Sequence, residues 1–275
     1  MIDLHTHSTA SDGTYDPAAL VDLAADRKLS ALALTDHDSL AGIPEARAEA
    51  LRRGIRFIPG VEIEVAFSPG EFHLLGLDLQ DTEGAIREAV ERLARSRDER
   101  NERIFERMRA AGIEGDYSEL RDAAAGGMIG RPHIADFLIS RKIVRKKQDA
   151  FDKYLGKGRP FYVAKECMEL REAVEVIRNA GGLPVVAHPL SLFVSWARLG
   201  SLFLEWRELG IPGIEAWHPT ARPGHCQRLE TMARDLGFRV TAGSDFHGAN
   251  RPDRRLGYTA GDRPIDDSYL SALDR

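Results

Sequence analysis

Short apolar runs that end abruptly in histidine or an acidic residue recur along this 275-residue chain and set the tightest limit on its fold. Ile2–His5 leads into His7. Ala31–Thr35 leads into Asp36-His37-Asp38, and Ile55–Ile58 into Pro59-Gly60-Val61-Glu62. Leu183–Ala187 leads into His188-Pro189, Gly213–Ala216 into Trp217-His218, and Arg239–Ala242 into Gly243-Ser244-Asp245-Phe246-His247. Such runs, bounded by turn signals and separated by helical patterns, give the β-α-β rhythm of a parallel sheet or barrel. In a barrel of parallel strands the C-terminal strand ends meet at one mouth. His5, His7, Asp12, His37, Glu62, His73, His188, Asp245 and His247 are expected to converge there. Nine oxygen and imidazole ligands at one mouth predict a site for two or three divalent cations, and hence a metal-dependent hydrolase.

The spacing predicts helices over Pro17–Lys28, with Asp16 as N-cap and Pro17 at the first helical position, and over Leu40–Arg53, Glu169–Asn179, Trp196–Leu209 and Arg222–Leu236. Phe72–Leu77 is expected to pair with Glu62–Phe67 across the Ser68-Pro69-Gly70 turn. The rhythm breaks between 80 and 165. Thr82–Ala111 is one long Arg- and Glu-rich helical pattern, and shorter ones follow near 117–125, 132–141 and 147–155. The reading is therefore an α/β barrel built from 1–79 and 166–275, with a helical insertion at 80–165 that caps the substrate. The last 25 residues, polar and rich in Gly and Pro, read as a surface tail.

Charge follows the same division. Residues 80–165 carry 19 Lys+Arg against 15 Asp+Glu, and the remainder carries 19 against 28, within a net charge of −5. An acidic cation-binding site beside a mildly basic segment suits an anionic substrate; a merely solvated insert would look the same. Lys142, Arg145, Lys146 and Lys147 form no basic stripe of the kind duplex nucleic acid requires. No apolar run reaches the roughly 18 residues of a membrane span, and the N-terminus lacks the pattern of a signal peptide. Two cysteines, Cys167 and Cys226, suggest no disulfide framework, which fits a cytoplasmic protein.

Each candidate also has a plainer reading. His5 and His7, two apart on extended chain, project to one face and could share a cation, or could be surface histidines. Asp12 could simply close a Ser-Asp-Gly turn. Asp36 and Asp38 are candidates for orienting imidazoles from behind. Glu64 competes with Glu62, and His73 inside FHLLGL could be an ordinary core residue. His218 could donate a proton to a leaving oxygen, bind the scissile phosphate, or pack against Trp217. Arg131 and His133 could present a guanidinium and an imidazole to phosphate, with Lys165 as a second cation. They could equally be a helix start and a surface lysine. His225, beside Cys226, is left as a surface residue. Mixed imidazole and carboxylate ligands suit Mn²⁺, Fe²⁺ or Zn²⁺ better than Ca²⁺.

Taken in order, DLHTHSTASDG, TDHD, PGVEIE, FHLLG, VVAHP and GSDFHG resemble the six signatures of the PHP (polymerase and histidinol phosphatase) family, over nearly all of the chain outside the insert. The resemblance implies a distorted (β/α)7 barrel with a trinuclear centre. His5, His7, Glu62 and Asp245 would hold one metal. Glu62, His73 and His188 would hold a second, and Asp12, His37 and His247 a third. Within the family, GRPHIADFL, GRPFYVAKE and IEAWHP look like the branch of nucleoside 3′,5′-bisphosphate phosphatases and 5′→3′ exoribonucleases. That branch implies a mononucleotide or a short 5′-phosphorylated oligonucleotide as substrate, with His218 and Asp245 at the reacting phosphate. Manganese is the foremost metal expected. Histidinol-phosphate phosphatase is the alternative. A C–N hydrolase, which would use a bridging lysine, and a metal-stabilised binding module are the readings from other classes.

Overall fold

A computed structural model of the protein describes residues 1–123 and 128–274. The chain divides into two compact units, Met1–Val90 with Cys167–Arg275, and Glu91–Glu166. The boundary falls inside the long helix expected from residue 82, about three turns later than the break in sequence rhythm.

The first unit opens with β1 (Ile2–Asp3), α1 (Pro17–Asp26), β2 (Ala31–Leu34), α2 (Ile43–Arg53) and β3 (Arg56–Pro59). Pro17 starts α1, where its missing N–H costs nothing, and Gly54 ends α2 at φ 68°. Asp16 stands at the N-cap position but makes no capping bond; its carboxylate accepts from the Thr9 hydroxyl instead. The three strands form a parallel sheet in the order β1-β2-β3, with Ile2 opposite Ala31 and Leu32 opposite Phe57. Leu20, Val21 and Ala24 of α1 and Ala46 and Ala50 of α2 pack on Leu32 and Leu34.

The chain then continues through Gly60 into β4 (Val61–Val65), turns back as β5 (Phe72–Leu77), and later adds α7 (Leu170–Asn179), β6 (Leu183–Val186), α8 (Trp196–Glu208), β7 (Gly213–Trp217), α9 (Pro223–Asp235) and β8 (Arg239–Ala242). These strands make a five-stranded sheet in the order β4-β5-β6-β7-β8. β5 runs antiparallel to both β4 and β6, whereas β6, β7 and β8 are mutually parallel. β7 is buried along its whole length, which is why its sequence lacks the alternation of a half-exposed strand.

The expected seven-stranded barrel does not close as a continuous ladder among the described residues. Two sheets stand instead, joined by isolated parallel bridges between Thr6 and Phe246 and between His37 and Glu62. The strands are two to six residues long and pass into polar loops before a longer ladder can form.

The expected surface tail is also corrected. β9 (Tyr258–Thr259) pairs with β10 (Arg263–Pro264), Leu256 and Ile265 are fully buried, and the Ile2 N–H donates to the Ile265 carbonyl at 3.0 Å. Single apolar residues spaced among charged ones carry this packing, so no hydrophobic run announces it.

The second unit has its own core. It contains most of α3 (Gly84–Ala110), with α4 (Tyr117–Ala123), α5 (Arg131–Ser140) and α6 (Lys147–Ala150), which widens into a π turn at Phe151–Leu155. Ile104, Phe105 and Met108 of α3 pack on Ile134, Phe137 and Leu138 of α5. Helix near 117–125 was expected; its last two residues lie outside the described residues. No described helix is long and apolar enough to cross a membrane.

If the C-terminal segment is packed as described, Ile265→Ala lowers unfolding stability by about 2–5 kcal/mol in urea titration, the range for truncating a buried aliphatic side chain. A change within about 0.5 kcal/mol, normal for a surface position, would restore the tail reading.

Candidate metal centre

The two isolated bridges are made by the segments that carry the candidate ligands. The His7 N–H donates to the Phe246 carbonyl (3.0 Å) and the Asp245 N–H to the His5 carbonyl (2.9 Å), which lays the His5/His7 and Asp245/His247 pairs side by side. The Asp38 N–H donates to the Glu62 carbonyl (2.9 Å) and the Glu62 N–H to the Asp36 carbonyl (3.2 Å), which does the same for His37 and Glu62. His73 is the second residue of β5 rather than a strand-end residue. Because β5 runs antiparallel, its start lies where the parallel strands finish.

Glu62 sits at the centre, 1% exposed. Its Oε2 lies 3.2 Å from His5 Nε2, 3.2 Å from His7 Nε2 and 3.0 Å from His37 Nδ1. Its Oε1 lies 2.9 Å from His73 Nδ1 and 3.1 Å from His188 Nε2. Asp245 Oδ1 faces His5, His7 and His247 at 3.5, 3.2 and 3.4 Å. Asp12 Oδ1 is 3.2 Å from His247 Nε2. All of these side chains except the deeper His5 and His7 line a cavity of about 310 Å³ that Leu190, Phe193, Thr220, Arg251 and Arg254 also border.

A second layer holds this arrangement. Glu215, buried on β7, accepts from His5 Nδ1 (3.0 Å) and from the His188 N–H (2.9 Å). Ser191 lies 2.9 Å from His188 Nδ1. His218 Nδ1 accepts from the Thr220 N–H (3.3 Å), so its Nε2 carries the proton it gives to Asp245 Oδ2 (3.0 Å). Its neighbour Trp217 donates through Nε1 to Glu230 (2.6 Å). Arg254 binds the same Asp245 carboxylate through Nη1, and its Nε finds no acceptor among the described residues.

Asp36 does not orient an imidazole from behind, as expected. Its oxygens accept from the Ser8 N–H and from the Ser8 and Ser11 hydroxyls, fixing the turn that presents Asp12. Asp3 ties β1 to the loops after β8 through the N–H groups of His5, Ser244 and Gly257. Gly243 must be glycine, since a Cβ there would stand 2.3 Å from His5 Cβ and 2.6 Å from Glu215 Oε1. Asp38, His188 and Asp245 hold φ values of 45°, 28° and 51°, an uncommon region for residues with a side chain and one that collects at functional sites.

Burial and mutual charge set the protonation of this cluster. Burial alone would raise Asp12, Glu62 and Asp245. The imidazoles overcome it, His37 foremost for the first two and His5 for Asp245, and hold all three carboxyls well below their ordinary range. Burial alone would lower His7, but Asp245 and Glu62 carry it up to about 10. His5 is likewise raised, by Glu215, Glu62 and Asp245 against burial. Burial wins at His37, brought down to about 3, and at His218, also lowered.

The donor set fits divalent cations. His5 Nε2, both ring nitrogens of His7, Glu62 Oε2 and Asp245 Oδ1 are buried without a hydrogen bond among the described residues, although buried polar atoms are nearly always bonded. Ligand atoms gather within 4.8 Å of one another in His5/His7/Glu62/Asp245, in His7/Asp12/His37/His247 and in His37/Glu62/His73. His5, Glu215 and His218 form a further such group.

Comparison with known proteins decides the family. The model of the PHP domain matches residues 3–158. A 3′,5′-nucleoside bisphosphate phosphatase of Chromobacterium violaceum is 35% identical over 265 residues, 96% of this chain and 93% of its own length. The chain belongs to the PHP domain family. Another PHP relative, the 5′-3′ exoribonuclease Rnm of Salmonella typhimurium, is 35% identical over 89% of this chain and 84% of its own. Among solved structures, one from C. violaceum, named an amidohydrolase and holding sulfate, superposes with a TM-score of 0.83 at 34% identity, covering 98% and 96% of the two chains. One from Bifidobacterium adolescentis, assigned as a metal-dependent phosphoesterase, gives 0.82 at 28%, covering 98% and 94%.

All nine ligand candidates read from the PHP signatures lie in this one cluster. Glu64, the competitor of Glu62, instead has its Oε1 3.5 Å from Cys167 Sγ. Arg131, His133 and Lys165 belong to the second unit. His133 Nδ1 accepts from the Gly130 N–H (3.0 Å) at the start of α5, and Arg131 lies over the Tyr162 ring at 5.9 Å. Sequence reasoning missed Glu215 and Arg254. An acidic residue within the apolar run GIEAW was the available signal for the first, and nothing singled out the second.

Because His7 is raised to about 10 without metal, it is protonated at pH 7 and must lose that proton to offer a lone pair. Mn²⁺ loading at pH 7 is therefore expected to release protons, and affinity to fall as pH falls. Calorimetry in two buffers of different ionisation enthalpy reads the release directly; identical heats would refute it.

Proposed function

We propose that this protein is a metal-dependent phosphomonoesterase that removes the 3′-phosphate from nucleoside 3′,5′-bisphosphates, with related 5′→3′ trimming of short 5′-phosphorylated RNA. The observation that carries the chemistry is the gathering of nine imidazole and carboxylate side chains in one cluster, beside a cavity whose wall also bears Arg251 and Arg254. The substrate class rests on the relatives named as bisphosphate phosphatase and exoribonuclease, similar along most of their length.

His5, His7, Glu62 and Asp245 would hold one ion, Glu62, His73 and His188 a second, and Asp12, His37 and His247 a third, with Mn²⁺ foremost and Fe²⁺ or Zn²⁺ as alternatives. Such ions supply Lewis acidity toward a phosphoryl group and acidify water. The chain's own groups do the rest. Glu215 fixes the His5 ring so that Nε2 faces the site. His218 and Arg254 hold Asp245 from one side, leaving Oδ1 for the cluster. His218, kept neutral by burial, carries one N–H, held by Asp245 Oδ2; on substrate entry it would turn that donor to the reacting phosphate. Arg131, His133 and Lys165 are proposed to hold the phosphate that is not cleaved, where a planar guanidinium suits paired phosphate oxygens. In this reading the helical unit is a substrate cap.

The isolated bridges support viewing the two sheets as a distorted seven-stranded barrel opened at its seams, with β3 and β4, continuous through Gly60, counted as one strand. Cys167 and Cys226 form no disulfide among the described residues, which suits a reducing cytoplasm. Glu62 stands where a C–N hydrolase would need a bridging lysine, which favours phosphoester chemistry. Histidinol-phosphate phosphatase remains the alternative within the family.

Phosphate release with Mn²⁺ from adenosine 3′,5′-bisphosphate, 3′-AMP, 5′-AMP and histidinol phosphate tests the assignment. The bisphosphate should be preferred and yield 5′-AMP. Preference for histidinol phosphate would keep the metal site and overturn the substrate.

A further inference from the structure

Phe193 is the residue whose placement nothing so far explains. It is 78% exposed, the most exposed aromatic side chain among the large hydrophobics that reach solvent. It also sits at φ 52°, ψ 36°, in the left-handed region. For a bulky residue this conformation costs about 1–2 kcal/mol, which is why glycine or asparagine normally takes such positions. Folding therefore gains little from this side chain: its ring is not buried, and its backbone is strained.

Its position gives a reason. Phe193 ends the short 3-10 turn Pro189–Leu192, which begins directly after the ligand His188. With Leu190 it borders the cavity that Asp12, His37, Glu62, His73, Asp245 and His247 line. Arg251 and Arg254 border the same cavity. The cavity thus combines cationic and cation-ligating groups, suited to phosphate, with one apolar, planar surface open to solvent. At about 310 Å³ it is at the small end of small-molecule sites, so part of a larger ligand must extend over its rim. A ligand with phosphate at one end and a flat, weakly polar ring at the other matches both features.

We propose that Phe193 is the platform on which the nucleobase of the substrate stacks while its phosphate occupies the metal cavity. This deepens the nucleotide reading above and rests on it. Stacking on an aromatic face tolerates every base, because each has a π face and no hydrogen-bond pattern is read. The subsite therefore selects for nucleotides over other phosphate esters without selecting among bases. The backbone strain at Phe193 is retained because the loop's turn out of His188 aims the ring at the cavity rim.

Calorimetric binding of 5′-AMP and of ribose 5-phosphate, which carries the same phosphate and sugar but no base, isolates the base contribution. The native protein should bind 5′-AMP more tightly. Phe193→Ala should weaken 5′-AMP by about 5- to 100-fold, the range that base–aromatic stacking spans, and leave ribose 5-phosphate unaltered. Phe193→Trp should restore the lost affinity. Phe193→Gly should lose it as the alanine variant does, yet unfold at or above the native midpoint, since glycine accepts the left-handed backbone. Equal affinity of the native protein for the two ligands, equal losses for both in Phe193→Ala, or a lowered midpoint for Phe193→Gly would each overturn the proposal. Failure of the nucleotide reading itself is separate: it would appear as preferential turnover of histidinol phosphate by the native protein.

Discussion

A single carboxylate, buried among five imidazoles, is the constraint around which the first unit is organised. Glu62 is 1% exposed, and His5, His7, His37, His73 and His188 all approach its two oxygens within 3.2 Å. Removing one carboxylate from water costs several kcal/mol even after relaxation, and Asp245 and Glu215 are buried beside it. Without cations, the cluster balances these charges by protonating His5 and His7. That solution places positive and negative groups on the same few ångströms but leaves ring nitrogens and carboxylate oxygens without hydrogen bonds. Divalent cations satisfy the same atoms directly, which is the physical reason to read the cluster as a metal centre.

The scaffold is shaped to serve that cluster. Both seams between the sheets are stitched by backbone hydrogen bonds from ligand-bearing segments, so the ligands and the sheet closure depend on each other. The loops are then fixed by further buried side chains: Asp3 between β1 and the segment after β8, Asp36 under the Ser8–Ser11 turn, Glu215 behind His5 and His188. Orienting groups of this kind determine ligand geometry as much as the ligands do. The positive φ values at Asp38, His188 and Asp245 show what that geometry demands of the backbone.

Much of this was legible in the sequence because the candidate ligands sit where apolar runs stop. Polar residues within three positions of the ends of ALAL, LPVV and RVTA could not belong to the strand core, so their convergence followed from a parallel layout alone. His73 and Glu64 were ambiguous for a definite reason. Residues two apart on a strand share a face, and a periodic pattern does not reveal that β5 descends against its neighbours. Glu215 was hidden because one charged residue within a buried five-residue strand has no periodicity to break. Arg254 was hidden because no pattern ties a loop arginine to Asp245, nine residues before it, and the packed C-terminal segment because its partners, Ile2 and Asp3, are distant in sequence. Asp36 was assigned the wrong partner: its neighbour in sequence is the candidate ligand His37, but its hydrogen-bond partners in space are Ser8 and Ser11.

The central claim is that Glu62 is shared between ions, so that the centre is one coupled site rather than separate ones. Elemental analysis of native protein and of Glu62→Gln after Mn²⁺ loading tests it most directly, since glutamine keeps the size and removes the charge. The account predicts two or three ions per chain in the native protein and the loss of more than one in the variant, with the fold retained by circular dichroism. A variant that loses a single ion, or none, would contradict it.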